Sequence, residues 1–417
     1  MEDISPRIDK SQYGNQRGTG TEHLMVNLMN KILQLLDKNN NCSAVIASLV
    51  DWANAFDRQD PTKAIEKFLK MGVRPSLVPI LASYLSDRQM QVRLNNTFSE
   101  TYKVPGGGPQ GTLIGLIEYL VQSNDNADSV DPDLRFKFVD DLTVLELVMM
   151  SGLLTEYNFK NHVASDIGID EMYIPAKDLT TQDSLNQISE WTTENYMKIN
   201  EDKTKYMIFT RSETEVATRL ALNGKTIDRI EETKLVGVWL TTWLDWTKNT
   251  SELCKKAFAR MTMLTKLKYV GVPTDDLLHI YILYVRSLLE YCSVVWHSTL
   301  TVDQSQDIEH VQKVCLKVIM GDQYIGYDNA LENCGLQKLS VRREQKCLQF
   351  GLKSLLHPIH KSMFPVNPQI LSQPYDTRNS EHFQVNRAKS ESYRKSTIPY
   401  IQRMLNEHVR NQKRRKA

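Results

Sequence analysis

Two adjacent aspartates, Asp140 and Asp141, interrupt an otherwise apolar stretch, Phe136-Lys137-Phe138-Val139-Asp140-Asp141-Leu142-Thr143-Val144. Aromatic and β-branched residues on both sides predict a tight hairpin with the carboxylates at its turn. Two ionised aspartates side by side repel each other, so a fold that keeps them together usually supplies a cation. The same pair is also common as the polar tip of a surface hairpin. A third carboxylate, Asp51, ends the run Ser43-Ala44-Val45-Ile46-Ala47-Ser48-Leu49-Val50, which has the length and character of a buried strand. Strand ends are where sheet proteins place active-site groups, although Asp51 equally suits the start of a turn. Asp57 precedes Pro61 and is expected to cap a helix over 61–70.

Two glycine-rich stretches flank these acids. Tyr13-Gly14-Asn15-Gln16-Arg17-Gly18-Thr19-Gly20-Thr21 leads into a helix over about 22–37 and could present Arg17 and backbone N–H groups to phosphate, or serve only as a helix lead-in. Pro105-Gly106-Gly107-Gly108-Pro109-Gln110-Gly111-Thr112 lies between a hairpin turning at Asn95-Asn96 and a helix over about 112–122. Its glycines imply close backbone approach, and Gln110 adds a hydrogen-bonding side chain. Further on, a helix begins near 183, a strand covers 206–210, Asn223-Gly224 marks a hairpin, and 233–240 reads as one strand with Gly237 inside it.

The length of 417 residues accommodates two or three domains, and 41% hydrophobic with 24% charged residues is ordinary for a globular chain. A net charge of +1 makes no global case for a polyanion partner, so local patches must carry any such contact. The six cysteines are scattered without a C-x-x-C pair, which suits reduced thiols in an intracellular setting, with nucleus and cytoplasm not distinguished. No apolar run is long enough to span a bilayer, and no membrane partner is expected. From about 245 the pattern becomes all-helical, with segments near 248–268, 274–297, 303–319 and 338–356. A polar tail after 357 ends in the basic run Arg410-Asn411-Gln412-Lys413-Arg414-Arg415-Lys416.

In this order the pieces resemble the reverse transcriptases of non-LTR (LINE-type) retrotransposons. The residues that carry the resemblance are Gln12-Tyr13-Gly14 with Thr19-Gly20-Thr21, Asp51 through Ala55-Phe56-Asp57, and Gly108-Pro109-Gln110-Gly111-Thr112 with Gly115 and Asn124-Asp125. They continue with Phe138-Val139-Asp140-Asp141, Trp191, Asn200, Lys203-Thr204-Lys205 and Leu235-Val236-Gly237-Val238. Tyr281, Tyr284, Leu289-Glu290-Tyr291, Val295-Trp296 and Val311-Gln312-Lys313 resemble the family's thumb.

The resemblance implies an α+β fold: a right-hand polymerase palm, an antiparallel sheet packed on helices, followed by an all-helical thumb-like domain. The expected division is 1–245 for palm and partial fingers with an insertion at about 148–180, 246–356 for the thumb, and 357–417 for the tail. Asp51, Asp140 and Asp141, with the Val50 carbonyl, would hold two Mg²⁺ ions, for which Mn²⁺ is a possible substitute. Phe56 would exclude a 2′-hydroxyl, Gln110 and Gly111 would line the nucleotide path, and Arg17 would meet phosphate. Lys203 or Lys205, with Lys203 preferred, would give a proton to pyrophosphate. The partners would be an RNA template, a DNA primer and dNTP, and the chain is expected to be a monomer.

The departures are Val139 where the family usually has Ala, Leu116 where it has Pro, and Glu118 and Gln122 within a helix that is normally apolar. Upstream fingers strands, an endonuclease domain and a zinc knuckle are not recognisable, so the chain is expected to be an N-terminally truncated portion of an element protein. Two further readings stand beside the polymerase: a catalytically inactive nucleic-acid-binding remnant of such an element, and a metal-dependent nuclease. The nuclease leaves the glycine-Gln loop and the Lys-Thr-Lys turn without a role.

Overall fold

The structure, a computed structural model, describes residues 4–38, 43–149, 171–174, 178–211, 215–368 and 382–416. Most of the expected 148–180 insertion lies outside the described residues. By contacts the chain divides into two compact units, Met1–Gly20 with Cys42–Ile230, and Thr21–Asn41 with Glu231–Ala417. This differs from the division expected from composition. Helix α1 (Thr21–Lys38) and residues 231–245 group with the C-terminal helices, not with the sheet.

The first unit is built on β1 (Ser43–Val50), β2 (Arg135–Phe138), β3 (Asp141–Met149), β4 (Lys205–Thr210) and β5 (Asp228–Arg229), in the order β5-β4-β1-β3-β2. All neighbours are antiparallel except β5 with β4. Central β1 is buried along nearly its whole length, which is why it reads as a continuous apolar run rather than an alternating one. Helices α2 (Pro61–Lys70), α3 (Leu113–Gln122) and α4 (Thr180–Glu194) belong to the same unit. α3 serves two cores. Tyr119 joins Ile46, Val50, Leu142 and Val144 in one, while Leu120 and Val121 join Ala64, Phe68 and Leu85 in the other. The class is therefore the expected α+β one, an antiparallel sheet packed on helices.

Strand β2 alternates Arg135 and Lys137 on one face with Phe136 and Phe138 on the other. The two cations are buried, and Asp9 answers them: its Oδ2 lies 2.7 Å from Lys137 Nζ and 3.1 Å from Arg135 Nε. Carbonyls of Ala127 and Val130 accept from Arg135 Nη1 and that of Asn124 from Lys137 Nζ, while Arg135 Nη2 pairs with the more exposed Asp128 at 3.2 Å. Burial pushes the Asp9 carboxyl up, but Lys137, the Ser11 N–H and Arg135 outweigh it and hold it below its ordinary value. Residues 11–13 run parallel beside β2 and bond to it, with Tyr13 N–H to Lys137 O and Lys137 N–H to Ser11 O both at 2.8 Å.

The second unit is largely helical, around α5 (Thr247–Tyr269), α6 (Val302–Met320), α7 (Leu339–Leu356) and α8 (Thr397–Lys416). Three expectations are corrected here. Residues 233–240 are not one strand but a hairpin, Glu232–Leu235 with Val238–Thr241. Val236 and Gly237 form its turn at φ 44° and 90°, and a Cβ at Gly237 would come within 2.9 Å of the Tyr291 ring. The helix expected over 274–297 breaks after Leu289, and Cys292 takes a left-handed φ of 49°. Residues 397–416 are helical, with Ile398, Ile401 and Leu405 buried at helical spacing. Among the described residues no cysteine is in a disulfide.

Removing one member of a buried, hydrogen-bonded ion cluster leaves uncompensated charge. Asp9→Ala is therefore expected to cost about 3–5 kcal/mol. Denaturant unfolding followed by sheet-sensitive circular dichroism checks this, and a loss below about 1 kcal/mol contradicts the role given to Asp9.

Candidate active site

The β2–β3 hairpin closes through Val139-Asp140, between the paired Phe138 and Asp141. Val139 has φ 58°. Two-residue hairpins favour glycine at this first central position, and a β-branched residue there is strained. In the β1–β3 register the last pair is Val50 with Leu142. One step further sets Asp51 across from Asp141, with Asp140 in the adjoining turn. Two neighbouring central strands thus deliver three carboxylates to one end of the sheet. The Asp51 backbone is fixed from the other side. Its N–H donates to Thr204 Oγ1 at 3.2 Å and its carbonyl accepts from Asn200 N–H at 2.8 Å, both from the turn that leads into β4.

The carboxylates feel one another. Burial raises the Asp51 carboxyl above its ordinary value and Asp140 adds to this, while Lys203 opposes it. The Oδ2 atom of Asp51 is buried with no hydrogen-bond partner. The Asp141 carboxyl is pushed up to about 6, by desolvation and then by the charges of Asp140 and Asp51. Its outer edge faces solvent, which screens part of that repulsion. The buried Tyr119 hydroxyl is pushed up by burial, then by Asp140 and Asp141. Its ring packs 4.8 Å from that of Phe56. Among the described residues no three His, Cys, Asp or Glu side chains are gathered as a ready-made metal cage.

The glycine loop rests on residues 56–59. Gly108 N–H donates to Phe56 O at 2.8 Å and Gly107 N–H to Gln59 O at 2.7 Å. A Cβ at Gly107, whose φ is 80°, would lie only 3.0 Å from the Asp57 carbonyl oxygen. The Arg88 guanidinium donates to the carbonyls of Gly106 and Gly107. Beneath the loop lies Glu118, fully buried, with both carboxylate oxygens unpartnered. The helix cap expected at Asp57 is instead Asp60, which directly precedes Pro61 and accepts from Lys63 N–H at 2.8 Å. Asp57 accepts from Gln110 Nε2 at 2.8 Å.

The residues singled out in the sequence are therefore distributed as follows. Asp51, Asp140 and Asp141 lie at one sheet end, with Val50 in the strand behind and the exposed Lys203 close enough to Asp51 to oppose its protonation. Lys205 is engaged elsewhere, its Nζ 2.5 Å from Asp228. Phe56 packs on Tyr119, and Gln110 and Gly111 (φ 75°) lie on the glycine loop. Arg17 is exposed on the loop after Gly14. Sequence reasoning gave no role to Tyr119 or to the Thr204 hydroxyl. The first stood out only as an aromatic in an apolar helix, and the second as the middle of Lys-Thr-Lys.

Burial pushes the Glu118 carboxyl from 4.5 up to about 7, against the opposing charge of Arg88. A carboxyl raised on folding stabilises fully below its unfolded value and loses that contribution as pH rises through its folded value. Thermal stability is thus expected to fall between about pH 4.5 and 7. Asp141 acts in the same sense. Glu118→Gln should reduce the slope measured by calorimetry, and an unchanged slope contradicts this assignment.

No family model matches the chain. It is 27% identical over 261 residues to a probable RNA-directed DNA polymerase from transposon BS of Drosophila melanogaster, covering 61% of this chain and 26% of that protein. It is 22% identical over 275 residues to the RNA-directed DNA polymerase from mobile element jockey, covering 66% and 27%. The corresponding protein of transposon X-element is 23% identical over 254 residues, covering 60% and 25%. The chain spans about a quarter of the length of these curated relatives. Among solved structures, Candida tropicalis telomerase with a TWJ fragment of telomeric RNA has a TM-score of 0.43 and 12% identity, covering 87% of this chain and 48% of that one. Over some three-fifths of its length, the chain is thus similar in sequence to RNA-directed DNA polymerases of three Drosophila mobile elements.

Proposed function

We propose that this chain carries the polymerising site of an RNA-directed DNA polymerase, which joins dNTP to a DNA primer 3′-hydroxyl on an RNA template. The observation that carries the reading is the meeting of Asp51 with the Asp140-Asp141 turn, where one buried carboxylate oxygen has no partner. The similarity to transposon polymerases supports it.

Reverse transcriptases in general require a divalent metal, and the donor set here suits Mg²⁺. Mg²⁺ is commonly held by one or two carboxylates, with water and substrate phosphates completing the shell, so a closed protein cage is not needed. Two ions, with Mn²⁺ as substitute, would bind at Asp51 and Asp140, with the Val50 carbonyl and Asp141 beside them. Bound there, the metal supplies activation of the primer hydroxyl and charge neutralisation on the triphosphate.

The chain's own residues do the rest. Asp51 and Asp140 would hold the metal from a sheet end whose backbone is fixed by Thr204 and Asn200. Asp141 keeps the local charge high. Lys203 gives a proton to the departing pyrophosphate, a role for which Lys205 is less suited because Asp228 engages it. Phe56, backed by Tyr119, fills the space beneath the sugar and excludes a 2′-hydroxyl. Gln110 and Gly111 line the nucleotide path, with Gln110 held by Asp57. Arg17 meets phosphate.

Primer extension on oligo(dT)-primed poly(rA) with Mg²⁺ tests this. The chain should extend, and Asp140→Asn should reduce extension on the order of a thousandfold. Template retained in a salt-sensitive way by both chains, without extension, would assign a nucleic-acid-binding role instead. Duplex cleavage without nucleotide addition would make the site a nuclease.

A further inference from the structure

We propose that Gln12 is a positioning residue for the Asp140-Asp141 turn, which it holds through the backbone N–H of Val139. The proposal rests on the polymerase reading of that turn and names a residue through which it is set.

Gln12 is far from the turn in sequence and buried against it, at 7% exposure. Its Oε1 accepts two backbone N–H groups, from Gly14 at 2.8 Å and from Val139 at 3.0 Å. A two-residue hairpin leaves the first central N–H outside the ladder. Val139 therefore finds its partner in a side chain. That bond also holds a β-branched residue at φ 58°, a conformation it does not choose by itself. Asp140 is the next residue, so the rotation of the Val139–Asp140 peptide sets where its carboxylate points.

The clamp is itself fixed. Gln12 N–H bonds to Asp9 O at 3.0 Å, and its neighbours Ser11 and Tyr13 bond to both sides of Lys137. Asp9 is locked to Lys137 and Arg135. Gly14 completes the device: a Cβ there would lie 2.6 Å from both Val139 N and Val139 Cγ2. Only a glycine lets the chain come close enough for the Gln12 amide to bridge the two N–H groups. The buried ion cluster thus anchors a segment whose side-chain oxygen grips the turn bearing two of the three acids.

Gln12→Met keeps the length and apolar volume of the side chain and removes the amide acceptor, while Gln12→Glu keeps an oxygen acceptor. Amide hydrogen exchange at Val139 is read by NMR, beside kcat, the KM for dTTP and the affinity for oligo(dT)-primed poly(rA). In Gln12→Met, Val139 exchange should rise and kcat fall, each by about tenfold or more, with KM and template affinity within about threefold. Gln12→Glu should recover much of both losses. Unchanged Val139 exchange in Gln12→Met overturns the proposal. So does faster exchange with unchanged kcat, since the bond would then be structural only. A wild-type chain that extends nothing removes the polymerase reading and the catalytic half of this proposal. Val139 exchange still decides whether Gln12 holds the turn.

Discussion

Mutual repulsion among Asp51, Asp140 and Asp141 is the constraint around which the first unit is arranged. Carboxylates at one strand end do not stay together of their own accord. Here the antiparallel register of β1 with β3 brings them together, and a step of one residue would turn the side chains to the other face. The cost shows in the structure. Asp51 and Asp141 are harder to ionise than ordinary aspartates, Asp51 has a buried oxygen without a partner, and Val139 sits in a left-handed conformation. Strain and unmet polar groups concentrated at one place are expected where a site is organised for a ligand that relieves them.

The surrounding structure resists relaxation on several sides. Thr204 and Asn200 fix the backbone of Asp51 from the turn before β4. The buried Asp9, Arg135 and Lys137 cluster stiffens β2 and the segment beside it. Tyr119 and Phe56 fill the floor with aromatic bulk. The glycine loop is held against residues 56–59 by its own N–H groups and by Arg88. None of these contacts aims a charged group at the acids; the cation that acts on Asp51 is Lys203.

Much of this was legible in the residues. The bounds of β1 follow from an unbroken apolar run, and the Asp140-Asp141 hairpin follows from two aromatic and β-branched flanks. The helix after Pro61 is equally plain, although its cap is Asp60 and not Asp57, because the cap is the residue adjoining the first turn. Other features were hidden because they depend on contacts distant in sequence. The grip of Gln12 on Val139 spans 127 positions and joins a side chain to a backbone group, which no local pattern encodes. The apolar pattern of 233–240 reads as one strand, with Gly237 marking a close approach. It is both a close approach, to Tyr291, and a turn. The C-terminal helix was masked by its polar composition, though Ile398, Ile401 and Leu405 carried helical spacing.

The central claim is that Asp51 and the Asp140-Asp141 turn together take a divalent cation. Electron paramagnetic resonance of free Mn²⁺, titrated with the chain at neutral pH without nucleotide or nucleic acid, tests it most directly. The account expects the wild-type chain to take up Mn²⁺ and Asp51→Asn to bind it at least about tenfold more weakly. Equal uptake by the two chains, or none by either, would contradict it.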